Sequence, residues 1–223
     1  MPRFTLKEIV LEVSQHLLTP EIETALQKGN YEWQETFAIK RHLKRGDTVL
    51  EIGAGIGLTT VAAARAVGGE NVVSVEANPA LLCEIENNLV LNGLGGVTLL
   101  NQVVLPEAGK TEANIYVPKA FWGASIDGLT LPEAQEITVP AIGFDAALAA
   151  YPASALICDV EGAEAEYFQN PLPPALRLIL LELHPKLYQL SVVKGIFDRL
   201  SAQGFAYVPF GSKGPVVCFK RVP

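Results

Sequence analysis

The stretch Val49-Leu50-Glu51-Ile52-Gly53-Ala54-Gly55-Ile56-Gly57 decides how the rest of the chain is read. A β-rich run, Thr48 to Ile52, breaks into three glycines at alternate positions, and a helix of small residues from Leu58 to Val67 follows at once. Glycines at such a turn let a ligand approach the backbone, and the helix start offers unpaired N–H groups. The spacing is G-x-G-x-G. A dinucleotide-binding loop sets its third glycine one residue later and carries no acid just ahead of it, the place Glu51 fills here. The next strand, Asn71 to Glu76, ends in a carboxylate about 20 residues after the loop, where it can take both hydroxyls of a ribose. An acid ahead of the loop suits a cationic ligand better than a pyrophosphate. S-adenosylmethionine, with its sulfonium, ammonium and ribose, fits both carboxylates. A plain tight turn with a solvated glutamate would not account for strand, loop, helix, strand and acid all in order.

Outward from this loop the chain alternates strand and helix. Pro79 to Asn92 reads as a helix with proline at its start and Gly93 at its end. Val97 to Asn101 reads as a third strand. Ile115–Val117 and Ile137–Val139 are short strands in a less regular region, followed by a helix from Asp145 to Ala150. Buried strands are predicted at Ala155–Asp159 and Leu176–Glu182, then a helix from Ser191 to Gln203. The closing strands Phe205–Val208 and Val216–Lys220 are too close for a parallel crossover, so they should form an antiparallel hairpin. Upstream, Leu6, Ile9, Val10, Val13 and Leu17 recur at three- and four-residue spacing and predict a helix that stops before Pro20. Two more helices are expected before Gly46. The whole predicts an α/β fold: a doubly wound, mostly parallel sheet over 46–223 with an antiparallel C-terminal hairpin, and an N-terminal helical extension over 1–45.

The 223 residues suffice for one α/β domain, which buries roughly 70% of its unfolded surface without staples. A net charge of −7 disfavours a partner with a phosphate backbone. Cys83, Cys158 and Cys218 are scattered, make no metal-ligand spacing and lie among apolar residues, so all three are expected to be buried packing. No apolar run reaches membrane-spanning length, and the N-terminus carries Lys7 and Glu8 where a secretory leader would be apolar. A soluble, cytoplasmic protein is expected.

A second group of polar residues sits in Asp159-Val160-Glu161-Gly162-Ala163-Glu164, after the Ala155 strand, and in Glu182-Leu183-His184, after the next. Two-residue spacing puts Asp159 and Glu161 on one face, and likewise Glu182 and His184. The ends of parallel strands are where doubly wound sheets bind ligands. Four proton-handling groups can thus meet beside the cofactor. Asp159, Glu161 and His184 are the candidate base or acceptor-orienting groups. A cluster this rich in oxygen is also the composition of a divalent-cation site, but no metal is assigned. Glu164 has an alternative role at the first turn of the next helix. Trp122 and Ser125 are candidates for the wall of an acceptor pocket.

The loop and Glu76 resemble motifs I and II of the class I S-adenosylmethionine-dependent methyltransferases. That resemblance implies a seven-stranded Rossmann-like sheet whose last strand is antiparallel. It implies that Glu51 and the loop Gly53-Ala54-Gly55 to Gly57 hold the methionine moiety, that Glu76 with its neighbour Ala77 binds ribose, and that Asn101 and Gln102 contact adenine. More narrowly, Ile157-Cys158-Asp159-Val160-Glu161-Gly162-Ala163-Glu164, with Leu180 to Pro185 and Val139 to Asp145, resembles the FkbM-type methyltransferases over about residues 30 to 185. Ile157 stands where that family has lysine, and Gly55 where it usually has asparagine. The resemblance implies O-methylation of a hydroxyl on a small molecule, a sugar or secondary metabolite; the acidic charge and the lack of a long apolar run add the expectation of neither nucleic acid nor membrane as partner. A nucleic-acid methyltransferase on the same fold would usually bring a basic groove and an N/D-P-P-Y/F loop, where this chain has Cys158 to Glu161. A non-catalytic module binding the same cofactor and an NAD-dependent dehydrogenase are the remaining readings. The oligomeric state is left undetermined.

Overall fold

The computed structural model describes residues 1–118 and 134–222. Where the sequence predicts a first helix, the chain forms an antiparallel hairpin of β1 (Arg3–Leu6) and β2 (Ile9–Glu12). Phe4, Leu6, Ile9, Leu11 and Val13 are all buried, so the operating period is two. Several of the same residues also satisfy helical spacing, which is why the pattern misleads. The β-branched Ile9, Val10 and Val13 favour the strand, and Lys7, at φ 56°, turns the chain back. The two further helices form as expected, α1 (Pro20–Lys28) and α2 (Trp33–His42). Thr19 caps α1 by accepting the Ile22 N–H, Pro20 occupies the first turn, and Gly29 ends the helix at φ 67°.

The alternating region follows the sequence closely: β3 (Val49–Ile52), α3 (Leu58–Val67), β4 (Val72–Glu76), α4 (Leu82–Leu91) and β5 (Thr98–Asn101). Next come β6 (Val103–Leu105), β7 (Glu112–Val117) and β8 (Gln135–Gly143), which make a separate three-stranded sheet in the order β6-β8-β7. Trp122 and Ser125 lie outside the described residues. The chain continues through α5 (Phe144–Ala150), β9 (Ala155–Cys158), β10 (Leu178–Glu182), α6 (Leu190–Ala202), β11 (Phe205–Tyr207) and β12 (Val216–Arg221).

The central sheet has seven strands in the order β11-β12-β10-β9-β3-β4-β5. Strands β5, β4, β3, β9 and β10 are mutually parallel, and β12 runs antiparallel to both β10 and β11. Alternate residues feed two cores. Val49, Ile157, Leu180 and Cys218 face the side covered by α1 to α4 and the β1–β2 hairpin. Leu50, Leu156, Ile179 and Phe219 face α5 and α6. Cys158 and Cys218 are buried as expected, whereas Cys83 is exposed. It stands in the first turn of α4 on the face turned from the sheet, and its apolar neighbours carry the packing instead. Among the described residues, no helix is long and apolar enough to cross a membrane.

The starts of three strands are held by one buried carboxylate. Asp47, 2% exposed, accepts hydrogen bonds from Ser154 Oγ (2.9 Å), the Lys44 N–H (2.8 Å) and the Arg177 guanidinium, whose Nε donates at 2.7 Å. Burial raises the Asp47 pKa, but the Arg177 pairing and the other donors outweigh it and hold the carboxyl below its usual value. Removing one partner of such a pair leaves a buried charge uncompensated, which costs about 3–5 kcal/mol. Arg177→Ala is therefore expected to melt about 10 °C lower than the parent. A folded-state pKa below the unfolded one stabilises above the ordinary carboxylate range and is lost as pH falls. The melting difference should accordingly shrink in acid. Melts within 2–3 °C of each other at neutral pH would show that the pair is not structural.

Candidate functional site

The glycine loop leaves β3 at its C-terminal end, at the point where neighbouring strands β3 and β9 send their chains to opposite sides of the sheet. Gly53, Gly55 and Gly57 all have positive φ, 87°, 55° and 86°. The Gly53 N–H donates to Val75 O at 2.9 Å, and the N–H of Asp159 donates to Ile52 O at 2.9 Å. This sews the loop to the ends of β4 and β9. A Cβ on Gly53 would lie 1.7 Å from the backbone oxygen of Asp159. Only glycine allows the two strand ends to approach so closely.

Glu76, at the end of β4, holds the loop from the other side. Its Oε2 accepts the N–H groups of Ala54 (3.1 Å) and Gly55 (2.9 Å), and its Oε1 accepts the Asn78 N–H (2.7 Å). A carboxylate has about four acceptor positions, so one remains for a ligand hydroxyl. Burial pushes its pKa up to about 7, the Glu51 charge adding to burial and the three N–H groups opposing it. Asn101 donates to the carbonyls of Glu76 (2.9 Å) and Ala77 (3.0 Å) and so shapes the turn after β4.

These elements border a cleft that opens to solvent at the C-terminal ends of the strands. Of the residues singled out for the cofactor, Gly53, Gly55, Glu76, Ala77 and Gln102 line it. Glu51, Ala54, Gly57 and Asn101 do not; they form the layer behind. Glu51 is fully buried, its Oε2 accepting from the hydroxyls of Thr60 and Ser74 at 2.6 Å each. Burial raises its pKa. In this structure Glu51 braces α3 and β4 beneath the loop, where the resemblance implies contact with the methionine moiety. The reason is local: as an interior residue of β3 it points toward α3 and meets two hydroxyls there.

Two wall residues escaped sequence reading. Tyr31 and Glu32, between α1 and α2, reach over the loop, and a Cβ on Gly55 would lie 3.1 Å from both the Tyr31 hydroxyl and Glu32 Oε1. Glu32 has φ 42°, unusual for a residue with a side chain. Burial raises the Glu32 pKa well above the carboxylate range, against a hydrogen bond from Tyr31. Nothing in the local pattern marks these two residues; the positive φ is visible only in three dimensions.

At the end of β9, next to the loop, the acceptor-side candidates do converge. Asp159 and Glu161 both line it, and His184 Nε2 lies 3.4 Å from Asp159 Oδ1 and 3.4 Å from Glu161 Oε2. Glu161 reaches this position through φ 49°, with Gly162 completing the turn at φ 107°. The Nδ1–H of His184 donates to Glu164 Oε1 at 2.9 Å, the Tyr188 hydroxyl donates to the same oxygen at 2.7 Å, and the Gly162 N–H donates to Glu164 Oε2 at 2.8 Å. Glu164 is thus the fixed partner of the imidazole, with no solvent exposure. Burial opposes the charged imidazole, yet Glu164, Glu161 and Glu182 outweigh it and raise the His184 pKa. Burial also raises the Asp159 pKa well above its ordinary value, helped by Glu182, Glu161, Glu32 and Glu35. Its side chain is 30% exposed, but Oδ1 itself is enclosed.

The cleft fits S-adenosylmethionine on its own chemistry. The glycine backbone leaves room at the floor, and Glu76 keeps an acceptor position for a ribose hydroxyl. Gln102 turns an Oε1 with no protein hydrogen-bond partner into a buried position on the lining, where an amino group would satisfy it.

Residues 33–105 match the family model of protein-L-isoaspartate (D-aspartate) O-methyltransferase, about a third of the chain. Among solved structures, TYW2 of M. jannaschii, in complex with AdoMet, is 14% identical with a TM-score of 0.51, covering 99% of this chain and 86% of that one. A putative transferase of Pyrococcus horikoshii is 12% identical with a TM-score of 0.53, covering 98% and 70%. A tRNA methyltransferase of M. jannaschii is 13% identical with a TM-score of 0.51, covering 98% and 54%. Likenesses at this identity speak for architecture alone. The chain has the fold of the class I S-adenosylmethionine-dependent methyltransferases.

Proposed function

We propose that the chain is an S-adenosylmethionine-dependent methyltransferase that O-methylates a hydroxyl on a small molecule, as the FkbM resemblance of its sequence implies. The observation that carries this reading is that Asp159 and Glu161, with His184 behind them at 3.4 Å from each, line the same cleft as the glycine loop and Glu76. When bound, the cofactor supplies a methyl group activated by its sulfonium. The chain's own work is then placement. Gly53 and Gly55 offer backbone at close range, Glu76 accepts from ribose, and Gln102 takes the adenine edge. Asp159, Glu161 and His184 hold the acceptor hydroxyl and receive its proton, with Glu164 and Tyr188 keeping the imidazole in one orientation. Alignment of two bound reactants accounts for much of such a rate enhancement, and proton removal adds to it.

The acceptor side also speaks about substrate class. Glu32, Glu35, Asp159, Glu161 and Glu182 surround it, and the whole chain carries −7. A phosphate backbone would find no cationic partner there, whereas a polar hydroxylated compound would find hydrogen-bonding groups.

S-adenosylhomocysteine is expected to bind with about micromolar affinity and NAD not at all, both measured by calorimetry. With tritiated methyl donor, label should appear in hydroxylated compounds of a small-molecule extract and not in total RNA. NAD binding without S-adenosylhomocysteine binding would overturn the cofactor, and label in RNA would overturn the acceptor class.

A further inference from the structure

Near the ends of β9 and β10, Glu32 Oε2, Glu35 Oε2 and Asp159 Oδ1 are shut off from solvent with no well-aligned donor, Glu35 contacting the Glu182 carboxyl and His184 Nε2 standing 3.4 Å from Asp159 Oδ1. Their residues, together with Glu182, line one small crevice between α2 and the strand ends. Glu35 is only 8% exposed, so bulk water does not reach the oxygen it turns into that crevice. Buried acceptors are rarely left unsatisfied, and a bound cation is one of the standard ways of satisfying them.

Beside the crevice, one ligand atom each from Asp159, Glu182 and His184 falls within 4.8 Å of the other two. Ligands bonded at about 2.1 Å to a common centre lie about 3–4 Å apart, so a small closing movement suffices. His184 is prepared for this role. Its Nδ1–H is committed to Glu164, which leaves Nε2, facing Asp159 and Glu161 at 3.4 Å each, as the nitrogen on which a metal would replace a proton. A histidine whose far nitrogen is fixed by a carboxylate is the usual arrangement of an imidazole metal ligand.

We propose that Asp159, Glu182 and His184 bind a divalent cation of the oxygen-preferring kind, Mg²⁺ or Mn²⁺, with Glu35 and Glu32 as buried neighbours that deepen its negative surroundings. The two carboxylates suit both ions, the imidazole favours Mn²⁺ of the two, and no thiolate is present to select a softer metal. The purpose of the cation rests on the methyltransferase reading: with Asp159 and His184 as its ligands, it would hold the acceptor oxygen in their place and make its proton easier to lose, and Glu161 alone would receive that proton. The binding site itself does not depend on that reading.

The test titrates Mn²⁺ into the full chain and follows the free-ion signal by electron paramagnetic resonance. One ion per chain is expected, displaced by excess Mg²⁺, with nitrogen hyperfine coupling from the imidazole in the wild-type complex. Affinity should fall at least tenfold in Glu182→Gln and in His184→Gln, and Mn²⁺ should raise the melting temperature of the parent but not of these variants. No binding at millimolar Mn²⁺ would overturn the proposal, as would binding without nitrogen coupling or binding unchanged in both variants. A parallel titration with S-adenosylhomocysteine separates the two readings. Binding of the thioether without Mn²⁺ binding sinks the cation alone, and Mn²⁺ binding without the thioether sinks the cofactor alone.

Discussion

Gly53→Ala is expected to destabilise the chain by about 4 kcal/mol or more, among the largest effects a single added methyl can have. Two penalties combine. At φ 87° a side chain is strained, and the new Cβ would meet the Asp159 backbone oxygen at 1.7 Å. That oxygen cannot swing aside like a side-chain tip. It belongs to the residue whose N–H donates to Ile52 O, so relief must part the ends of β3 and β9. For a chain of this length the melting temperature should fall by about 8–16 °C. Gly93→Ala supplies the contrast, with φ 68° and nothing within 4 Å of its Cβ; it should cost about 1–2 kcal/mol. Equal melting temperatures for the two variants would show that the loop is free to move away from β9.

Glu76→Ala should weaken S-adenosylhomocysteine binding at least 100-fold, about 3 kcal/mol, with a smaller loss in stability. The carboxylate performs two tasks at once. It anchors the N–H groups of Ala54 and Gly55 that shape the loop, and it accepts from the ribose. Hydrogen bonds to a charged group contribute about 1.5–3 kcal/mol each, so losing the ribose contact together with loop order reaches that figure. A pH dependence follows from the pKa of about 7. The ionised carboxylate is the stronger acceptor, so affinity should rise as pH climbs from 6 to 8, and Glu76→Gln should flatten that rise. In the ligand-free chain the sign reverses. A folded pKa above the unfolded one means that stability declines as pH rises from the ordinary carboxylate range toward 7. Flat affinity in the parent between pH 6 and 8 would show that Glu76 does not titrate at the ribose.

Legibility differed between the halves of the site. The loop Gly53 to Gly57 and the acid Glu76 could be read because their chemistry is consecutive: strand, turn and helix start lie within about a dozen residues, and glycine marks positive φ in the sequence itself. Asp159, Glu161 and His184 were legible as strand-end pairs, but only the fold brings their tips together. Glu164 had two readings until the structure showed its contact with His184, twenty residues away in sequence and 2.9 Å away in space. Asn101 and Glu51 sit beside the cleft and support it from behind. A residue one position along a strand changes face, and a family resemblance alone does not say which side of the loop a neighbour occupies.

The N-terminus shows the limit of periodicity. Leu6, Ile9, Val13 and Leu17 satisfy a helical stripe, and Phe4, Leu6, Ile9, Leu11 and Val13 satisfy an alternating one. Only docking decided between them: the Val10 and Glu12 N–H groups donate to the side chains of Asn92 and Asn88 on and just past α4, partners that no local pattern contains. The sequence by itself determined the α/β alternation, the glycine loop, the acid after β4 and the C-terminal hairpin, because each rests on backbone preferences and residues close in the chain. The tertiary structure alone decided the N-terminal hairpin, the reach of Tyr31 and Glu32 over the loop, and the crowding of five carboxylates around β9 and β10. Those depend on which distant segments meet, and burial and charge repulsion act only once they have met.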